Sequence, residues 1–243
     1  MVDPPPNPRA QVAVIGGGLV GAVTALSLEG LGFPVTLVER QRPTLNKGDL
    51  GIDIRNVALS PGSRTLLDKA GVWEGVEVTP YHHMCIWEQW GTGVVHFDAA
   101  DAGVTELGWL VEMSPLVCAA WQGIEARPGI DVIEAGVADV QPTDGGVQLS
   151  FDTGQSRSFD FLIAADGAHS LVRKALGLGV LQQPLDQVAI ATVVRTEASH
   201  QHTAWQRFLV EGPLAFLPGP HEQLCSVVWS QSSAMAQRRM QLH

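Results

Sequence analysis

Residues 11–28, QVAVIGGGLVGAVTALSL, carry no charge, and the pattern changes character halfway. The β-branched half, Gln11–Ile15, reads as a buried strand. After three glycines, the second half reads as a helix to about Leu31, ended by Gly32. Pro34–Glu39 (PVTLVE) is a second apolar run of strand length, so the chain opens on the βαβ unit of a doubly wound sheet. The charge-free stretch lies at the lower edge of membrane-spanning length and the glycines divide it, so a membrane span is rejected.

Residues 41–55 are polar, contain Pro43 and Gly48, and read as a long loop. Ser60-Pro61 supplies an N-cap and a proline at the first helical position, which predicts a helix running to Gly71. Ser114-Pro115 repeats the device before LVCAAWQGIEA. Between these helices, CIWEQW (85–90) and VVHFD (94–98) flank Gly91-Thr92-Gly93 and predict an antiparallel hairpin outside the parallel core. DVIEA, VADVQ and VQLSF predict a small meander that leads into FLIAA (161–165), read as another buried strand. Beyond Gly177, VAIATVVRT, AWQRFLV, PLAFLP and CSVVWS predict a mostly antiparallel sheet able to include the 85–98 hairpin. SSAMAQRRMQLH (232–243) begins a helix with serine capping candidates and nothing evident to pack on, so the chain reads as a fragment.

Composition narrows the function classes. The 243 residues are 45% hydrophobic and 16% charged, too apolar for a disordered chain and long enough for one large or two modest domains. Net charge is −10 with no basic patch, which argues against nucleic acid and against binding anionic lipid by charge alone. The three cysteines, Cys85, Cys118 and Cys225, form no CxxC pair, so buried thiols in a reducing compartment are expected. His82-His83 and His200-Gln201-His202 lack the spacing of a helical metal site, and no metal is expected. The start, MVDPPPNPRA, has neither the basic nor the apolar region of a signal peptide and reads as a disordered leader.

Three motifs carry chemistry. In Gly16-x-Gly18-x-x-Gly21, the first glycine suits a tight turn. The second suits close approach of a pyrophosphate, and the third suits helix-on-strand packing. Alone the motif is weak. Here it lies between a strand and a helix, and Glu39 closes the next strand, where a carboxylate accepts hydrogen bonds from an adenosine ribose and repels a 2′-phosphate. FAD or NAD is therefore expected here rather than NADP. Arg55, in DIRNVALS, precedes an apolar turn and a capped helix, from which its guanidinium could reach a diphosphate. Asp166-Gly167 ends the FLIAA run with Ser170 and Arg173 following at helical spacing, which places a second carboxylate at a strand end. Its blander reading is a helix cap.

Taken together, GGGLVG with Glu39, Arg55 in DIRNVALS, and ADGAHSLVR resemble the group A flavoprotein monooxygenases. IRNVALSPGSRTLLDKAGVW, WLVEMSPL and TAWQRFLVEGPLAFLP resemble more closely the hydroxylases of ubiquinone biosynthesis. The resemblance covers nearly all the chain from about residue 10. It implies FAD held by Gly16, Gly18, Gly21, Glu39, Arg55, Asp166 and Gly167, with NADH or NADPH as electron donor and His169 and Arg173 as candidate contacts for it. It also implies O2 and a lipophilic aromatic substrate, a polyprenyl phenol or benzoquinol that is hydroxylated on the ring. Two departures stand out. Met113 follows Glu112 where the family often has Asn, and the family's third, GD-containing motif has no counterpart in these residues.

The expected fold class is α/β: a Rossmann-like FAD-binding domain (1–77 and 103–178) with an interleaved antiparallel β-sheet substrate domain (78–102 and 179–243), incomplete at its C-terminus. No residue identifies itself as a catalytic acid or base. Trp205, Phe208, Phe216 and Trp229 are candidates for an apolar pocket, with ordinary packing roles as the blander reading. Cytoplasmic localisation is expected, with contact to the inner membrane or a membrane-associated biosynthetic complex as an added implication of the family. The alternatives are a soluble small-phenol hydroxylase and an FAD-binding fragment without turnover.

Overall fold

A computed structural model describes residues 10–242. Residues 1–9 of the expected disordered leader, MVDPPPNPRA, lie outside the described residues. In chain order the elements are β1 (Val12–Ile15), α1 (Leu19–Gly30), β2 (Val35–Glu39), β3 (Asn56–Leu59), α2 (Pro61–Lys69), β4 (Val78–Tyr81), β5 (His83–Glu88) and β6 (Val94–Asp98). There follow β7 (Gly108–Glu112), α3 (Met113–Glu125), β8 (Ile130–Glu134), β9 (Val137–Thr143), β10 (Gly146–Phe151), β11 (Ser156–Phe159) and β12 (Phe161–Ala164). The chain continues through α4 (Leu171–Ala175), β13 (Gln187–Arg195), β14 (Thr203–Leu209), β15 (Gly212–Pro218), β16 (Leu224–Ser232) and α5 (Ser233–Met240). They fall into two compact units: residues 1–45, 66–75 and 116–181, and residues 46–65, 76–115 and 182–243.

The first unit is built on a parallel sheet in the order β12-β1-β2-β8. Every residue of β1 is buried, as a central parallel strand with both faces covered requires. The antiparallel sheet β11-β10-β9 packs on it, joining Ala13, Ile15 and Val38 to Val140, Leu149 and Phe159 in one core cluster. Two expectations change here. Ile130–Glu134, expected in the meander, instead pairs in parallel with β2, with Val35 opposite Ile130. The meander's third strand is β11, whose SRSF offers one buried apolar residue and so gives no periodic signal. The FLIAA run, expected to be buried, is an edge strand with Phe161 61% exposed.

The second unit holds a six-stranded sheet, β13-β16-β15-β14-β5-β6, and a three-stranded one, β3-β7-β4. The predicted hairpin is β5–β6, and it joins the predicted antiparallel strands through a parallel pairing of β5 with β14. NVAL, expected as a turn before α2, forms β3 and pairs with β7. The terminal helix α5, for which no partner was evident, packs on β13 and β16. Ala236 is buried there, and the Arg239 guanidinium sits 3.5 Å from the centre of the Trp229 ring.

The two Ser-Pro devices part company. Ser60 Oγ accepts the Ser63 N–H at 3.3 Å, as an N-cap does. Ser114 already lies inside α3, and its hydroxyl exchanges hydrogen bonds with the backbone of Asn46 instead. Among the described residues no helix is long and apolar enough to cross a membrane.

Candidate cofactor site

The turn after β1 is held at every peptide. Gly16 adopts φ +99° and donates its N–H to the Val38 carbonyl at 2.8 Å. A Cβ on Gly16 would lie 2.4 Å from the Ala165 carbonyl oxygen, and one on Gly21 would lie 1.8 Å from that of Gly16. Gly17, the middle residue that the motif leaves free, is constrained too, by side chains rather than backbone. Its N–H is donated to Glu39 Oε2 at 2.6 Å, and its carbonyl accepts the Trp121 indole N–H at 2.7 Å. A Cβ there would meet Trp121 at 2.5 Å.

Gly18 is different. Its φ of −64° and ψ of 179° suit any L-residue, and a Cβ on it would meet nothing within 4 Å. The fold does not need glycine at this position. The open space it leaves lies where α1 begins, at the end of the helix where free N–H groups favour an anion.

Gly16, Gly18, Glu39, Asp166, Gly167 and His169 all line one cleft of about 450 Å³. Glu39 stands at the end of β2 and accepts the N–H groups of Gly17 and Gln41, which leaves lone pairs on both oxygens for a ligand hydroxyl. Asp166 accepts the N–H groups of Leu171 and Val172 through Oδ2, at 2.7 and 3.1 Å. It is thus a cap of α4 with one oxygen. Its other oxygen, Oδ1, is buried with no hydrogen-bond partner among the described residues, which fits a ligand donor. Burial acts to raise the Asp166 pKa, but hydrogen bonds from Ser170, Val172 and Leu171 outweigh it and hold the carboxyl below its ordinary range. Gly167 has φ +82°. Ser170 Oγ accepts the Arg173 N–H, and Arg173 returns its guanidinium to the Ala168 carbonyl at 2.7 Å. A space left open by Gly18, a carboxylate able to take sugar hydroxyls and an orphaned buried oxygen fit a dinucleotide cofactor such as FAD.

Arg55 belongs to the second unit. Its side chain is 64% exposed, 4.0 Å from the carboxylate of a fully buried Asp53. Asp53 is the residue that motif reading missed. Its carboxylate accepts the N–H groups of Arg55 and Ser114, its own N–H goes to Glu112 Oε2, and its carbonyl accepts from the Asn56 amide. Met113, the departure from the family pattern, contributes through its backbone by donating its N–H to the Arg55 carbonyl. In the sequence this network shows only as an aspartate two residues before an arginine.

Elsewhere, Trp205 and Phe216 line a second cleft with Trp87, and Phe208 stays half exposed on the sheet. All three cysteines are free, with Cys118 only partly buried. No cluster able to hold a metal ion occurs among the described residues.

Residues 9–239 match the family described as FAD binding domain. The chain is 35% identical over 232 residues to 3-demethoxyubiquinol 3-hydroxylase of Escherichia coli (strain K12), covering 94% of this chain and 59% of that protein. It is 28% identical over 256 residues to ubiquinone biosynthesis monooxygenase COQ6, mitochondrial, of Danio rerio, covering 97% and 52%. Among solved structures, p-nitrophenol 4-monooxygenase PnpA from Pseudomonas putida DLL-E4 matches with a TM-score of 0.75 at 21% identity, over 96% of this chain and 61% of that one. The chain therefore spans 52–59% of the length of these two curated relatives.

Proposed function

Because the chain belongs to the FAD binding domain family, we propose that it is the cofactor-holding part of a hydroxylase that oxygenates the ring of a polyprenyl phenol or benzoquinol in ubiquinone biosynthesis. The activity is proposed for the whole protein; FAD binding is proposed for these 243 residues. The glycine turn of Gly16, Gly18 and Gly21 receives the diphosphate, and Glu39 receives the adenosine ribose. Arg55 adds a cation for the diphosphate and ribityl region, and Asp166-Gly167 receives cofactor hydroxyls. His169 and Arg173 are assigned to the nicotinamide donor, NADH or NADPH. By function, residues 1–77 and 103–178 serve FAD, and 78–102 and 179–243 serve the lipophilic substrate. A site of action beside the inner membrane, within a biosynthetic complex, suits such a substrate.

Bound FAD supplies acceptance of hydride and activation of O2 for transfer of one oxygen atom to an electron-rich ring carbon. The chain's own residues bind, orient and exclude water. None is assigned as an acid or base. The observation that carries the cofactor reading is Gly18, a glycine with ordinary dihedrals and open space around its missing side chain. The similarity to two ubiquinone-pathway hydroxylases favours the prenylated ring over a small soluble phenol.

The first test is the visible spectrum of the purified chain after adding FAD and removing the excess. Retained flavin bands are expected; a colourless protein would refute FAD binding by these residues. The substrate class is tested with the whole protein, by NAD(P)H oxidation and formation of a hydroxylated product on adding a prenylated phenol.

A further inference from the structure

Trp121 lies on α3, outside every motif discussed above, and is 3% exposed. Its indole N–H is donated to the Gly17 carbonyl at 2.7 Å, while the Gly17 N–H is donated to Glu39 Oε2 at 2.6 Å. The two peptides that meet at Gly17 are thus each gripped by a side chain, one by a carboxylate and one by an indole. The Gly17 carbonyl belongs to the peptide whose nitrogen is that of Gly18, so the Trp121 bond sets the direction in which the Gly18 N–H points. The indole is itself confined. Its ring packs where a Gly17 side chain would otherwise stand, and the Arg42 guanidinium lies 5.7 Å from its centre. Arg42 in turn bonds Glu134 at 2.6 Å and pairs with Glu125.

We infer that Trp121 is a positioning residue for the diphosphate: it holds the Gly17–Gly18 peptide in the orientation that presents the Gly18 N–H to the ligand. The inference rests on the reading of the glycine turn as the diphosphate site. Phenylalanine at 121 would keep most of the ring packing and remove only the donor, leaving the Gly17 carbonyl without a partner and the peptide free to rotate. A lost hydrogen bond of this kind corresponds to roughly tenfold in affinity. A purely structural tryptophan would affect all ligands of the cleft alike. A positioning one affects those that carry a diphosphate.

The test titrates the 243-residue chain with ADP and with adenosine by calorimetry, for the wild type, Trp121→Phe and Gly18→Ala. For Trp121→Phe, a loss of about tenfold in ADP affinity, with adenosine affinity within about twofold of wild type, is expected. Equal losses for both ligands, or none for either, would overturn the positioning role. Gly18→Ala separates this from the underlying reading. Its new methyl group meets no protein atom, so the thermal midpoint should hold while ADP affinity falls. If ADP affinity stays unchanged in Gly18→Ala, the turn is not the diphosphate site and the inference fails with it. Should Trp121→Phe not fold, the Trp121 indole N–H resonance of the wild type serves instead: it is expected to shift with ADP and not with adenosine, and the same shift with both would overturn the inference.

Discussion

At the scale of single residues, Glu39 serves the turn and, in the proposed reading, the ligand as well. It fixes the Gly17 N–H and keeps acceptor capacity toward the cleft. Glu39→Ala is therefore expected to weaken binding of FAD and of adenosine alone, by about 10- to 150-fold for one charge-assisted hydrogen bond of ~1.5–3 kcal/mol. Fluorescence titration checks it. Loss for FAD without loss for adenosine would place Glu39 away from the ribose. Trp121→Phe is expected to spare adenosine instead, because Trp121 holds the Gly17 carbonyl while Glu39 is proposed for the ribose. Glycine identity sorts in the same way. Gly16, Gly17 and Gly21 are required by neighbouring protein atoms and Gly18 is not, a distinction that the spacing of the motif cannot make.

Among the elements, α4 is a short helix whose start depends on side chains outside it. Asp166 and Ser170 together hold the N–H groups of Leu171, Val172 and Arg173. Asp166→Ala should cost about 0.5–2 kcal/mol, the range of a lost N-terminal cap, read as a lower denaturation midpoint in urea. Asp166→Asn, which keeps one acceptor, should recover most of that stability while FAD affinity remains reduced. Full recovery of both would assign Asp166 to capping alone. The Asp-Gly pair was legible because a strand stops there and a helix follows. That its strand is an edge was not, since FLIAA is as apolar as a buried strand and pairing partners lie far away in sequence. The same holds for Ile130–Glu134, where β-branched composition marks a strand but cannot say which sheet it joins. α3 was legible as a helix, but the group that caps it was not. Ser114 and proline mimic a local cap, whereas the carboxylate that takes the Ser114 N–H comes from Asp53.

Across the whole molecule, stability should decline on acidification in two steps. His200 is buried, and its Nδ1 accepts the His202 N–H, so Nε2 carries the proton and donates to the Gly219 carbonyl at 3.2 Å. Burial, reinforced by the charge of His202, lowers its pKa against the opposing influence of the Gly219 and His221 carbonyls and Glu222. The unfolded chain then takes up a proton before the folded one does. The stability from keeping His200 neutral is complete above about pH 6.5 and is lost as pH falls from there through the lower folded value. Asp53 and Asp166 act at lower pH. Burial opposes their ionisation, but hydrogen bonds, from Arg55 and Ser114 for Asp53 and from Ser170, Val172 and Leu171 for Asp166, hold both pKa values down. Their contribution is present above about pH 3.9 and is lost below it. Thermal midpoints measured against pH check this. His200→Gln should remove the first decline and leave the second, and an unchanged first decline would assign it to other groups.

The sequence by itself determined the strand, glycine turn and helix at the start, the carboxylate that closes the second strand, the hairpin and the strands of the large sheet. Each depends on interactions within a few residues: dihedral freedom at glycine, apolar periodicity and turn chemistry. Only the tertiary structure decided which strands became neighbours, that Trp121 reaches Gly17 across 104 positions, and that Asp53 meets Ser114 across 61. These contacts form when distant segments are buried together and their polar groups must find partners away from water. No local pattern in the chain encodes that requirement.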